Sequence, residues 1–238
     1  FILGFALAFV GGIAGCKKLM PGAPADEDVL AGPLAELTGN QLALHLRGDA
    51  EFARIFAEAD GLGPVFVQAS CEACHVGDGK GNPFNNLVRF GRYDTLTDGS
   101  VVWNPMLTAG GPQLQQRSIS HYAPEGLPAG VQSTEFTAPN VTGLGYLEAV
   151  TDQTILDIQQ AQMAHPHVFG IAHYVDAPAY FEPGPNHIPD TGGRYIGRFG
   201  RKAGALDLHM QTALAYRNDM GITGIGDKSG LALFSLRE

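Results

Sequence analysis

Cys71 and Cys74 stand three positions apart with His75 directly after them, in the run Ser70-Cys71-Glu72-Ala73-Cys74-His75. Residues three apart share one face of a helical turn. Two thiols so placed can add to the two vinyl groups of one porphyrin while the adjacent imidazole binds its iron. Cys-x-x-Cys-His is the pattern of covalent haem c attachment, and it makes His75 the proximal ligand. Two other chemistries share part of the pattern. A zinc site needs a second ligand pair at short spacing, and the nearest histidines, His121 and the group His165, His167 and His173, come without partner cysteines. A redox dithiol is expected after a strand of a βαβ unit, and no such unit is legible near Cys71.

The chain has 238 residues, 45% hydrophobic and 16% charged, enough for one globular domain or two small ones. Its 32 glycines and 15 prolines imply many turns and irregular loops. A net charge of -9 argues against nucleic acid as a partner and suits docking of a small basic redox protein. The third cysteine, Cys16, has its own context. Residues 1–15 are an apolar run ending Ile13-Ala14-Gly15 directly before it, and Lys17-Lys18 follow. This reads as a bacterial lipoprotein signal peptide whose cleavage leaves Cys16 as the acylated N-terminus, with an uncleaved anchor or plain signal peptide as alternatives. Each implies export, and lipidation at Cys16 implies attachment to the periplasmic side of a bacterial membrane. All three thiols then have a use, and no disulfide is expected.

Residues 16–40, rich in Pro, Gly, Ala and acidic side chains, read as a flexible tether, and residues 41–238 as the folded haem domain. From an N-cap at Asp49, the residues Phe52, Ile55, Phe56 and Ala59 recur at helical spacing up to Gly61-Leu62-Gly63-Pro64. A short helix over 65–74 is expected to lead into the haem motif. Ile155, Leu156, Ile158 and Met163 follow a cap at Thr151 or Asp152, and Leu206, Met210, Ala213, Leu214 and Arg217 predict a helix over 203–218 with Gly221 as its stop. Extended pieces at 87–93, 101–103 and 114–119, broken by Asp-Gly, Asn-Pro and Gly-Gly-Pro, predict a small β-hairpin. Residues 121–140 and 165–193 read as long loops. The sum is a mainly α fold with long irregular loops and a small β-hairpin.

Longer strings accompany the haem motif: Gly61-Leu62-Gly63-Pro64-Val65-Phe66, Gly110-Gly111-Pro112-Gln113-Leu114-Gln115-Gln116-Arg117, Gly143-Leu144-Gly145-Tyr146-Leu147-Glu148-Ala149, Gly197-Arg198-Phe199-Gly200-Arg201-Lys202-Ala203-Gly204 and Asn218-Asp219-Met220-Gly221-Ile222-Thr223. With them the chain resembles the bacterial di-haem oxidoreductases, a thiol-oxidoreductase-like family related to di-haem cytochrome c peroxidases. The resemblance implies a cytochrome-c-like first haem domain with a reactive haem, and a second haem c that relays electrons. A single Cys-x-x-Cys-His is present. The second haem is therefore expected beyond Glu238, the chain being a first haem domain shortened at its C-terminus.

In such a family the sixth iron position decides the activity, since Met ligation makes an electron carrier and an open face admits peroxide. Met220 is the first candidate for a distal ligand, followed by Met106 and His121, with core packing or plain solvation as the competing readings. Moving a proton between the oxygens of a bound hydroperoxide calls for a polar side chain. Gln115, Arg117, Glu125 and Glu135 are the catalytic candidates, each equally readable as an ordinary polar residue. His165, His167 and His173 read as loop residues and Trp103 as a packing residue. Three functions are compatible with these signals: a periplasmic peroxidase-like oxidoreductase fed by a second haem or a small redox protein, a non-enzymatic electron-transfer cytochrome c with six-coordinate haem, and a binding module stapled by haem.

Overall fold

The structure, a computed structural model, describes residues 32–222. The signal run, Cys16 and much of the tether lie outside the described residues. The chain divides into two units, Phe1–Glu36 and Leu37–Glu238, and every element below belongs to the second.

Thr38, not Asp49, opens the first helix, α1 (Gly39–Ala53). A capping box is the reason: Gln41 N–H donates to Thr38 Oγ1 (3.4 Å) and Thr38 N–H to Gln41 Oε1 (2.9 Å). The helix ends at Arg54, short of the apolar residues that suggested a longer one. Phe56 N–H instead donates to the Ala69 carbonyl (2.8 Å), which turns its ring into the core. A strand, β1 (Val65–Phe66), and not a helix precedes the haem motif. Then come α2 (Cys71–Cys74), α3 (Val76–Gly79) and β2 (Lys80–Gly81), the last two where a loop is expected.

The expected hairpin exists as β3 (Leu87–Thr95) and β4 (Val101–Asn104), with Tyr93 opposite Trp103. A third antiparallel strand, β6 (Gln132–Phe136), covers the other edge of β3, while β5 (Arg117–Ser118) pairs with β1. β6 falls inside a region read as loop because Gln132-Ser133-Thr134-Glu135-Phe136 is too polar to show alternation. Next follow α4 (Leu144–Ala149), α5 (Asp152–Gln162) on its Thr151 cap, the small pair β7 (Tyr174–Val175) and β8 (Tyr195–Ile196), and α6 (Leu208–Met220). α6 starts on an Asp207 cap and stops at Gly221 in the left-handed region (φ 63°). The expectation of a mainly α, cytochrome-c-like fold with one hairpin is therefore corrected: 31% of the described residues are helix and 17% strand. Turn residues between 121 and 207 keep helices short, and the strands pair across long sequence distances that local periodicity does not encode.

The C-terminal end of α6 organises the core. Met220 is 3% exposed and packs with Phe56, Leu62 and Phe66, with Ala69, Ile119, Tyr216 and Ile222 around them. Gly63 N–H donates to the Met220 carbonyl (3.0 Å), and a Cβ on Gly63 would overlap the Gly221 carbonyl, so only glycine permits this approach.

A buried ion pair fixes the region of α4 and α5. Arg198 Nη2 donates to Asp152 Oδ1 at 2.5 Å, with both side chains at most 1% exposed. Arg198 Nη1 also donates to the carbonyls of Glu148 (3.0 Å) and Val150, which the end of α4 leaves without helical partners. Asp152 Oδ2 accepts from Ile188 N–H (2.7 Å), tying the long loop to α5. Arg198→Met leaves buried Asp152 without its guanidinium partner, His187 Nδ1 standing 4.0 Å from Oδ2, and should cost about 3–5 kcal/mol, with partial recovery when Asp152→Asn is added. Urea unfolding midpoints of the two variants check this; equal midpoints for Arg198→Met and the parent would refute it.

Candidate functional site

α2 is a single turn, made possible by Ser70, whose Oγ caps it by accepting from Ala73 N–H (3.1 Å). The turn presents Cys71 half-buried and Cys74 buried, both free thiols. Its far end is held from outside. Asn82 Nδ2 (3.0 Å) and Asn85 Nδ2 (2.7 Å) both donate to the Ala73 carbonyl, and Asn82 N–H donates to the Cys74 carbonyl (2.8 Å). The helix breaks at His75 (φ -117°, ψ 65°), so α2 and α3 meet at the imidazole. Gly81 bridges back to His75 and lies where a Cβ would overlap the Ala138 carbonyl. The Phe52 ring of α1 sits 6.2 Å from the His75 ring.

Burial sets the electrostatics of this trio. It pushes the Cys74 thiol up to about 11 and the Cys71 thiol upward too, and in each the Asp219 carboxylate adds to the shift. Burial also lowers the His75 pKa, opposed by the Pro139 carbonyl acting as acceptor, and Nδ1 is buried without a partner in hydrogen-bonding geometry. The result is two protonated thiols and a neutral imidazole with unmet bonding capacity. That donor set fits a covalently attached haem: thiols to form thioethers and a neutral nitrogen to bind iron.

Three of the polar candidates come together. Gln115, 0% exposed, donates from Nε2 to the Asn218 carbonyl (2.6 Å) and from its backbone to Glu125 Oε2 (2.8 Å). Arg117 donates to the Val67 carbonyl, three residues before Ser70. Glu135 is elsewhere, exposed on β6 and bonded to Asn86 Nδ2 (3.2 Å). Of the candidate ligands, Met220 lies in the core described above, while Met106 (φ 58°) and the exposed His121 (φ 70°) sit in turns. His165, His167 and His173 are exposed, and among the described residues no group of three or more His, Cys, Asp or Glu is arranged to hold a metal ion. Nor is any described helix long and apolar enough to cross a membrane.

Sequence reasoning missed Asn82, Asn85 and Asp219. The asparagines sit in a Gly-rich loop that reads as generic turn chemistry, and Asp219 gains its partners from residues more than a hundred positions away. Its Oδ1 accepts from Gln113 Nε2 (2.6 Å), and its carbonyl accepts from Val67 N–H (2.7 Å) and Gln68 N–H (3.1 Å).

In comparison with known families, residues 25–92 fit the family described as "Di-haem oxidoreductase, putative peroxidase". The match includes Gly61 to Phe66 and the whole haem motif, and supports the family resemblance and its oxidoreductase character. The family description implies a haem cofactor. No curated protein and no solved structure matches the chain.

Burial raises the Asp219 carboxyl to about 6 from 3.8, against the opposing pull of Gln113 and Arg89. The folded protein thus holds this proton more tightly than the unfolded chain, and wild type should lose stability relative to Asp219→Asn as pH rises from about 4 through about 6, with a constant difference above. Melting temperatures across that range check the sign; a difference that stays flat throughout would refute it.

Proposed function

On the premise that residues 25–92 carry the di-haem oxidoreductase pattern, we propose that the protein is an exported c-type haem oxidoreductase with peroxidase-like chemistry. Cys71 and Cys74 would hold its haem through thioethers, and His75 would bind the iron. One observation carries the reading: two free, protonated thiols on one turn lie beside a neutral imidazole whose buried Nδ1 lacks a partner. The haem supplies electron exchange with peroxide, each molecule of which takes up two electrons and two protons and leaves as two waters.

The chain's own residues hold and orient. Ser70, Asn82 and Asn85 clamp the turn that carries both thiols. Gln115 and Arg117 are committed to backbone carbonyls, so they act as positioning residues. Glu125 is the remaining proton carrier of the set, its carboxylate fixed by Gln115 N–H and pressed against Gly110, where a Cβ would crowd Oε1. Glu135 has no part in this reading. Met220 packs in the core, so it would not be the residue that binds the iron, and this supports the peroxidase-like reading over a carrier with this methionine as ligand. A second haem c, a small redox protein as electron partner and a lipid at Cys16 on the periplasmic side complete the proposal; the di-haem family description, the acidic net charge and the Cys16 context support them in turn.

The test is expression of the exported chain with cytochrome maturation machinery. Haem should survive acid–acetone extraction in the parent and be lost when Cys71 and Cys74 are both replaced by alanine. His75→Ala should change the Soret band, and hydrogen peroxide should shift it in the parent. A colourless product overturns the proposal. A Soret band that ignores peroxide but responds to Met220→Leu selects the electron-transfer alternative.

A further inference from the structure

Asp219 is an acidic group that the proposed function does not use. Its carboxylate is bonded to Gln113 Nε2 (2.6 Å), and Arg89 acts on it through space. No described cation forms an ion pair with it. Gln113 and Gln115 are 3% and 0% exposed, and the Oε1 of each is buried without a donor. Their amide nitrogens already face the Asn218 carbonyl and Asp219 Oδ1, so turning either amide over would set oxygen against oxygen. The cluster is therefore rich in acceptors, and the electronegative C-terminal end of α6 adds to them. The positive charges around it are Arg89, which acts on the carboxylate, Arg117, which acts on Cys74, and Arg217 in the last turn of α6.

This negative site adjoins the haem motif: the Asp219 carbonyl accepts from Val67 N–H (2.7 Å) and Gln68 N–H (3.1 Å), directly upstream of the Ser70 cap, and the same residue's carboxylate acts on the thiols of both Cys71 and Cys74. Reducing haem iron from ferric to ferrous adds one electron and removes one positive charge from the centre. A nearby carboxylate favours the more positive, ferric form. We propose that Asp219, held in place by Gln113, sets the reduction potential of the haem anchored at Cys71 and Cys74 by stabilising its ferric state. It is an electrostatic positioning residue, not a catalytic one, and the assignment rests on the haem reading above.

Spectroelectrochemical titration of the haem-loaded full chain at pH 8, where the carboxyl is ionised, tests it. Asp219→Asn keeps the shape and the bond from Gln113 while removing the charge, and should move the potential to more positive values with unchanged haem content. Glu135→Gln removes a carboxylate on the exposed face of β6 and should leave the potential in place. An unshifted potential in a haem-loaded Asp219→Asn protein overturns this assignment alone. An equal shift in Glu135→Gln also overturns it, because the effect would then be one of general surface charge. A parent chain that retains no haem overturns the haem reading, and this assignment with it.

Discussion

A helix cannot satisfy its own last carbonyls, and the way the end of α6 meets that requirement shapes the folded unit. The Asn218 carbonyl accepts from the side chains of Gln113 and Gln115, the Asp219 carbonyl from Val67 and Gln68, and the Met220 carbonyl from Gly63. Two segments distant in sequence are thereby fixed on one helical turn: the chain entering the haem motif and the stretch after β4. Buried backbone acceptors left unpaired are costly, so loss of either segment strands groups on the helix. The haem motif inherits its placement from this arrangement, because Val67 and Gln68 stand only a few residues before the Ser70 cap.

The strings that suggested a family in the sequence turn out to touch one another. Gly61 to Phe66 packs on Met220 and Gly221, and Gln113 to Arg117 bonds to Asn218, Asp219 and Val67. Leu147 and Glu148 offer carbonyls to Arg198. Each string is one half of a contact whose chemistry tolerates few alternatives: a glycine where two backbones meet, a glutamine with two acceptors to reach, a guanidinium serving a helix end and a buried aspartate. The family match covers the first of these strings and the haem motif, and the later strings act as their supports.

What was legible in the sequence is local. The Thr151 cap, the Gly221 stop, the β3–β4 hairpin and the Cys-x-x-Cys-His spacing depend on neighbours a few positions away. The Thr38-x-x-Gln41 box is equally local, but a stronger apolar periodicity after Asp49 hid it. β6 is polar on both faces and draws its stability from pairing with β3, so no pattern announces it. The mainly α expectation failed for the same reason, because long-range pairing, not propensity, makes these strands. Burial of Gln115, Asp152 and Asp219 is likewise set by partners far along the chain, which is why Gln115, read as a polar candidate, proves to be an internal strut beside Gln113.

The chain's single tryptophan, Trp103, is 48% exposed on the β3–β4 ribbon, its ring 5.1 Å from Tyr93. Indole emission therefore reports on a two-stranded arm and its edge-on tyrosine, not on the cluster around Met220. Loosening of that arm would appear in fluorescence while circular dichroism of the helices stayed native. Disagreement between the two signals during denaturation would then mark local fraying of the ribbon and not a populated folding intermediate.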